Sequence, residues 1–240
     1  MAQKFLPYGL RKKEILEKSR EDNRVRRFLT PQRIVWTSEG DRCAVTGAEK
    51  LLLDREPQIN LNATDLCKLE NKGEPASIVL DFGVEFHGSL KLFVKEVSKL
   101  SVKLRIRFGE SVMETMEDKL YGEHNATNDH INRDQTIDIG FLSMNEVGPS
   151  GYRFVRIDLV EENTYITFKA IKGIAIYRDL EYKGSFRCDD ERLNTIWNTG
   201  SYTIHLNMQE YVWDGIKRDR LVWIGDMHPE TSTIQAVFGY

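Results

Sequence analysis

Residues 101–111 read SVKLRIRFGES, and this stretch decides the fold class. Val102, Leu104, Ile106 and Phe108 alternate with basic side chains and are followed by a Gly-Glu-Ser turn. Alternation with a period of two is typical of a β-strand that buries one face and exposes the other. The stretch therefore predicts a half-buried strand that ends at a turn.

The same alternation recurs on both sides of this strand. It is found in residues 77–82, 90–95, 137–139, 152–160 and 165–177. Clusters of Gly, Asn, Asp and Pro separate these stretches, and no helical pattern lies between them. Many short alternating strands with this punctuation predict a mainly β protein, an antiparallel β-sandwich of jelly-roll type.

The pattern changes to a helical one after Gly184. Apolar residues then recur at helical spacing on one face of a helix predicted for residues 189–209: Leu193, Ile196, Trp197, Gly200 and Ile204. A second helix is predicted to begin near Pro229, which suits a first helical position. We therefore divide the chain into an N-terminal arm (1–30), a β-sandwich (31–183) and the start of a helical domain (184–240). Two helices cannot bury their apolar faces alone, so this last domain is expected to continue beyond Tyr240.

Composition and charge exclude several classes of function. Hydrophobic residues make up 40% and charged residues 30% of the chain, and the net charge is −3. Neither sign of charge dominates, so a nucleic acid or an anionic membrane is not expected as the main partner. Cys43, Cys67 and Cys188 are widely spaced, which supports neither a disulfide framework nor a metal site. No signal peptide is recognisable, and the sequence leaves the compartment and the oligomeric state open.

A long polar stretch, residues 110–134, interrupts the strands. It contains His124 and His130 beside Asp129 and Asp134. A loop of this length is either functional or solvated. A sugar or metal contact and a plain solvated loop are both compatible with it, although the spacing matches no metal-binding motif.

The residues that indicate chemistry are concentrated in 211–226, which read YVWDGIKRDRLVWIGD. Three carboxylates, three cations and two Trp rings lie here between the two predicted helices. Carboxylates accept hydrogen bonds from ring hydroxyls, an aromatic face stacks on a pyranose, and a protonated acid assists a leaving group. Structural roles are the alternative: Asp226 as a helix N-cap, the arginines as ion-pair partners and the tryptophans as core. The concentration of these residues in one loop favours sugar binding and glycosyl transfer.

This stretch resembles the opening of the catalytic barrel in the α-L-rhamnosidases of glycoside hydrolase family 78. The resemblance lies in Asp214 followed by residues 218–226, RDRLVWIGD, which match the family pattern Asp, a few residues, Arg-(Glu or Asp)-Arg-Leu-x-Trp-x-Gly-Asp. Residues 184–186 and 192–197 also resemble the family's first barrel helix, and 105–111 and 152–157 resemble its accessory sandwich. The resemblance implies an (α/α)6 barrel behind the sandwich, a carbohydrate substrate and inverting hydrolysis of terminal α-L-rhamnosyl residues, with no cofactor or metal.

The resemblance also implies roles for single residues. Asp219 takes the place of the general acid, Asp214, Arg218 and Asp226 contact sugar hydroxyls, and Trp223 contacts the ring. Asp219 stands where reference members of the family carry Glu, one methylene longer. The family's catalytic base is a Glu late in the barrel, outside these 240 residues, so the chain alone is expected to hydrolyse nothing. A carbohydrate-binding module without catalysis and an (α/α)6 glycosidase of another sugar specificity remain the alternatives.

Overall fold

The computed structural model describes residues 22–117 and 133–239, and strands dominate it. The nine strands are β1 (Arg24–Leu29), β2 (Arg33–Thr37), β3 (Cys43–Thr46), β4 (Cys67–Asn71), β5 (Ala76–Val97), β6 (Ser101–Gly109), β7 (Asp134–Gly140), β8 (Ser143–Leu159) and β9 (Thr164–Arg178). A short 3-10 helix, Ala48–Leu52, precedes β4. The helices are α1 (Val112–Met116), α2 (Glu191–Asn207) and α3 (Ile224–Phe238).

Two long strands organise the sandwich, because β5 and β8 each run through both of its layers. The first layer has the order β2-β5-β8-β6-β7 and uses residues 76–81 of β5 and 154–159 of β8. The second layer uses residues 88–97 of β5, paired with the first half of β8 and with β9, which also carries β4 and β1. The register of β5 on β8 shifts between Asp81 and Phe86, where the chain passes from one layer to the other. Such irregularities let a strand change sheets. All pairs are antiparallel.

One apolar core lies between the layers, and it contains the faces that the alternation predicts. Val102, Leu104, Ile106 and Phe108 are all at most 1% exposed, which confirms the mainly β sandwich. Arg107 differs from the pattern, since it is 2% exposed rather than solvated. It pairs with Asp158 at 3.0 Å and donates to the carbonyl of Glu117 at 3.1 Å. The segment after β6 covers this side of the strand, and a buried charge is tolerated there because it is paired.

Part of the predicted N-terminal arm is a strand of the sandwich. Arg24–Leu29 pairs along its whole length with β9, from Arg24 opposite Arg178 to Leu29 opposite Gly173. This strand has a weak apolar alternation because it lies at the edge of the layer, where Arg26, Arg27 and Phe28 are exposed. Residues 1–21 of the predicted arm lie outside the described residues. Most of the 110–134 stretch, with His124, His130 and Asp129, also lies outside them.

The first predicted helix is confirmed and the start of the second is corrected. Helix α2 is capped by Asp190, whose carboxylate accepts the amide of Arg192 at 2.8 Å. Helix α3 begins at Ile224, not near Pro229, and its N-cap is Trp223. Pro229 is the sixth residue of α3, and its missing N–H deprives only the carbonyl four residues earlier of a partner. Residues 224–228, which the sequence places between the two predicted helices, therefore belong to α3.

The helical segment has a small apolar core of its own. Ile204 and Met208 pack with Val237 and Phe238, while Leu193 and Ile196 on the predicted buried face of α2 stay 47% and 59% exposed. Among the described residues, no helix has the length and apolar character needed to cross a membrane.

Candidate active site

The segment between α2 and α3, residues 208–223, is here called the motif loop. Its base is closed by Asp214, whose amide donates to the carbonyl of Leu221 at 2.9 Å. The amide of Leu221 donates back to Oδ1 of Asp214, also at 2.9 Å. These two hydrogen bonds make residues 215–220 a closed loop. Oδ1 of Asp214 therefore holds the backbone of the loop, and Oδ2 takes no part in this closure.

Asp219 lies near the end of this closed loop, at a tight turn. Its φ is 57° and that of Arg220 is 53°, and the amide of Arg220 donates to the carbonyl of Arg218 at 2.7 Å. Arg218 donates to Oδ2 of Asp219 at 3.1 Å, with the guanidinium 53% and the carboxylate 19% exposed. The predicted acid and one predicted sugar contact are thus brought together.

Arg220 points away from this pair. Its Nε donates to the carbonyl of Ile216 at 3.1 Å and its Nη2 to the carbonyl of Pro149 at 3.2 Å. The sequence predicts that at least one of the two arginines points away from Asp219, toward another acid or the substrate. The structure places Arg220 on main-chain oxygens instead, one of them in β8.

The charges of Asp214 and Asp226 affect the pKa of Glu230, a residue that the sequence analysis missed. Glu230 on α3 is 9% exposed, and burial, then the charges of Asp226 and Asp214, raise the pKa of its carboxyl group. A hydrogen bond with Asn207 of α2 acts in the opposite direction. Glu230 stands four residues after Asp226, which is the spacing of one helix face and is the signal that could have identified it.

A cleft of about 460 Å³ lies where the motif loop faces the sandwich. Its walls come from β5, the turn after β6, helix α2 and the motif loop, and they consist of Glu85, Glu110, Thr203, Leu206, Asn207, Asp214, Gly215, Ile216, Lys217 and Arg218. Asp214 and Arg218 are thus brought to one cleft. Asp219, Trp223 and Asp226 are not among its walls, and the last two are exposed where α3 begins.

Glu85 and Glu110 bring sandwich carboxyl groups into this cleft. Burial, the charge of Glu110 and a hydrogen bond with it raise the pKa of Glu85 to about 7, against the opposing charge of Lys217. Nζ of Lys217 lies 2.6 Å from Oε2 of Glu110 and 3.2 Å from Oε1 of Glu114. A carboxyl group that stays protonated near neutral pH can donate a hydrogen bond as well as accept one. The cleft therefore offers donors and acceptors suited to a polyhydroxylated ligand. Among the described residues, no group of His, Cys, Asp and Glu is arranged to hold a metal ion.

Comparisons with known proteins agree with the motif. Residues 181–240 match the family model described as the bacterial alpha-L-rhamnosidase 6 hairpin glycosidase domain. An alpha-L-rhamnosidase of Formosa agariphila is 31% identical over 78 residues, which is 32% of this chain and 8% of that protein. These matches confirm, for the helical segment, the resemblance that Asp214 and residues 218–226 indicate.

Solved structures extend the similarity to the sandwich. A rhamnosidase from Klebsiella oxytoca with rhamnose bound superposes with a TM-score of 0.67 at 18% identity, over 91% of this chain and 42% of that one. A family 78 rhamnosidase of Bacillus sp. GL1 gives 0.64 at 16% identity, over 81% of this chain and 19% of that one. At such identities the similarity shows a shared fold. The chain spans less than half the length of each of these relatives.

Proposed function

We propose that the protein containing this chain is an inverting glycoside hydrolase that removes terminal α-L-rhamnosyl residues, with Asp219 as its general acid. The observation that carries the proposal is the placement of Asp219. It lies in a loop that is closed by Asp214, accepts a hydrogen bond from Arg218, which lines a polar cleft, and falls within the segment that matches the rhamnosidase domain. An inverting enzyme needs one acid to protonate the leaving oxygen and one base to activate water, about 6.5–9.5 Å apart. We place the base outside these 240 residues.

Arg218 has to change partner for this chemistry. Its guanidinium donates to Oδ2 of Asp219 at 3.1 Å, and so it occupies an oxygen of the carboxyl group that would have to deliver the proton. Because Arg218 is more than half exposed and lines the cleft, a sugar hydroxyl that enters the cleft is able to compete for it. Substrate binding would then both orient the sugar and release the acid.

The substitution Asp219→Asn tests this role in the protein expressed from the complete reading frame. Loss of the proton donor should lower kcat by about 10²–10⁴-fold for a rhamnoside with a poor leaving group. The loss should be much smaller for an activated aryl rhamnoside, whose leaving group scarcely needs a proton. The matched control is Asp226→Asn, since an exposed sugar-contacting carboxylate should affect both substrates alike.

Other outcomes identify the alternatives. An equal loss for both substrates on Asp219→Asn would assign Asp219 to sugar binding and place the acid elsewhere. Hydrolysis of a different aryl glycoside, with none of the rhamnoside, would indicate a glycosidase of another specificity. Glycan affinity retained by residues 31–183 alone, without any hydrolysis by the complete protein, would indicate a binding module.

A further inference from the structure

The motif loop is anchored on the sandwich through Trp213 and Ile216. Their side chains are 8% and 5% exposed, and they are the buried residues of the stretch 210–223. Both lie against the sandwich at a pair of residues that face each other across adjacent strands, His87 of β5 and Gly151 of β8. We call His87 and Gly151 the loop seat.

Gly151 permits a backbone approach that no other residue allows. A Cβ atom at this position would lie 2.7 Å from Cγ1 of Ile216, 2.9 Å from its carbonyl carbon and 2.9 Å from the amide nitrogen of Lys217. Two of these three atoms belong to the main chain of the loop, so a side-chain rotation cannot relieve the contact. Any larger residue at 151 must displace the loop, three residues before Asp219.

His87 contacts the same point of the loop. Its ring is 2% exposed and meets Trp213 edge to face at 5.2 Å, and the carbonyl of Ile216 lies close enough to raise the pKa of the imidazole. Nδ1 has no hydrogen-bond partner among residues 22–117 and 133–239, so Nε2 is the nitrogen available to this carbonyl. The carbonyl of Ile216 also accepts Nε of Arg220, which reaches back across the loop. The backbone is thus fixed on both sides of Asp219.

The backbone conformation of Asp219 and Arg220 requires contacts that hold it in place. Asp219 and Arg220 are both non-glycine residues in the left-handed region, and each costs on the order of 1–2 kcal/mol there. Two adjacent residues of this kind persist only where surrounding contacts fix the backbone. The loop seat supplies those contacts from the sandwich.

We propose that His87 and Gly151 are positioning residues for Asp219, so that the sandwich holds the acid in place. This inference rests on the proposed function for its effect on catalysis, but the contact itself can be tested separately. A displacement of about 1 Å between a catalytic group and its substrate can lower a rate by about 10²-fold. The loss should fall on the step that needs the proton.

The substitution Gly151→Ala tests the seat in the protein from the complete reading frame, with Gly140→Ala as its matched control. Gly140 is also a sandwich glycine, and a Cβ there meets only the carbonyl oxygen of Leu100, at 3.7 Å. For Gly151→Ala we expect a loss of about 10–100-fold in kcat with a poor leaving group and less than about threefold with an activated aryl rhamnoside. Gly140→Ala should match the wild type with both. Equal losses with both substrates, or none, would overturn the proposal.

Hydrogen exchange separates failure of the seat from failure of the proposed function. The amides of Asp214 and Leu221, which close the loop, should exchange at least about tenfold faster in Gly151→Ala and in His87→Phe than in the wild type or Gly140→Ala. His87→Gln, which keeps a donor for Ile216, should restore slow exchange. Unchanged exchange in Gly151→Ala and His87→Phe would refute the seat whatever the enzyme hydrolyses. Faster exchange in a protein that cleaves no rhamnoside would refute the proposed function and, with it, the role of the seat in catalysis.

Discussion

Acidification should weaken the fold through one buried imidazole. Burial, then the charges of Arg220 and Arg24, lower the pKa of His87 from 6.5 to about 3, while the hydrogen bond to Ile216 acts in the opposite direction. Below pH 6.5 the imidazole of His87 therefore binds a proton in the unfolded chain but not in the folded chain, and the free energy of unfolding decreases as the pH falls. At 1.36 kcal/mol per pH unit, the loss relative to pH 7.5 is about 1 kcal/mol at pH 5.5 and about 3 kcal/mol at pH 4.5. It levels off only near pH 3.

Urea-induced unfolding at pH 7.5, 5.5 and 4.5 measures this loss, with Trp fluorescence as the signal. Carboxyl groups titrate in the same range, so the wild type has to be compared with His87→Gln, which has no imidazole and keeps a donor for Ile216. The difference in unfolding free energy between the two proteins should change by about 3 kcal/mol from pH 7.5 to pH 4.5. Parallel pH profiles for the two proteins would show that His87 is not held neutral, and the account of the loop seat would need another donor.

Two further predictions concern other polar contacts. The folded pKa of Glu85 lies above its ordinary 4.5, at about 7, so the unfolded chain binds fewer protons between these values and stability falls as the pH rises through them. Glu85→Gln should remove this decrease in stability. We expect the decrease to be about 1–2 kcal/mol, since part of the Glu85 side chain reaches solvent and the effect is screened there. Thermal unfolding of both proteins at pH 5 and pH 8 measures it. Asn194→Ala removes two hydrogen bonds of 2.9 Å with the main chain of Cys188 and should cost about 1–3 kcal/mol of unfolding free energy by denaturant titration. Asn198→Ala, an exposed position on the same helix, should cost less than about 0.5 kcal/mol.

The sequence predicts the sandwich because its signal is local. Strands such as β6 repeat apolar side chains at every second position, and burial of one face follows directly from that pattern. Arg107 departs from it because the segment that covers it is separated from β6 by a turn, and a pattern within one strand does not reveal what lies above it. Strand β1 was not predicted because it lies at the edge of a layer, where most of its side chains are exposed and no apolar alternation is needed. Pro229 marks a preference for the first turn of a helix, and α3 shows that packing against α2 can override it.

The candidate site is predictable only where it is contiguous in sequence. Asp214, Arg218 and Asp219 belong to one motif, and the structure brings them together at one loop. Glu85, Glu110 and His87 come from the sandwich. Each lies more than 100 residues before the residues of the motif loop that it meets, and its local sequence does not indicate the contact. Glu230 lies between these cases, because helical spacing links it to Asp226 once the start of α3 is known.

The loop seat also bears on how such proteins can be recombined. Domains are usually exchanged as independent modules, and a boundary near residue 183 looks suitable for grafting the sandwich of one relative onto the helices of another. Such a chimera would keep the whole motif but would combine Ile216 with whatever residue the other sandwich carries at position 151. Positions 151 and 216 are therefore expected to vary together across relatives, and an engineered exchange has to move the sandwich and the motif loop as one unit.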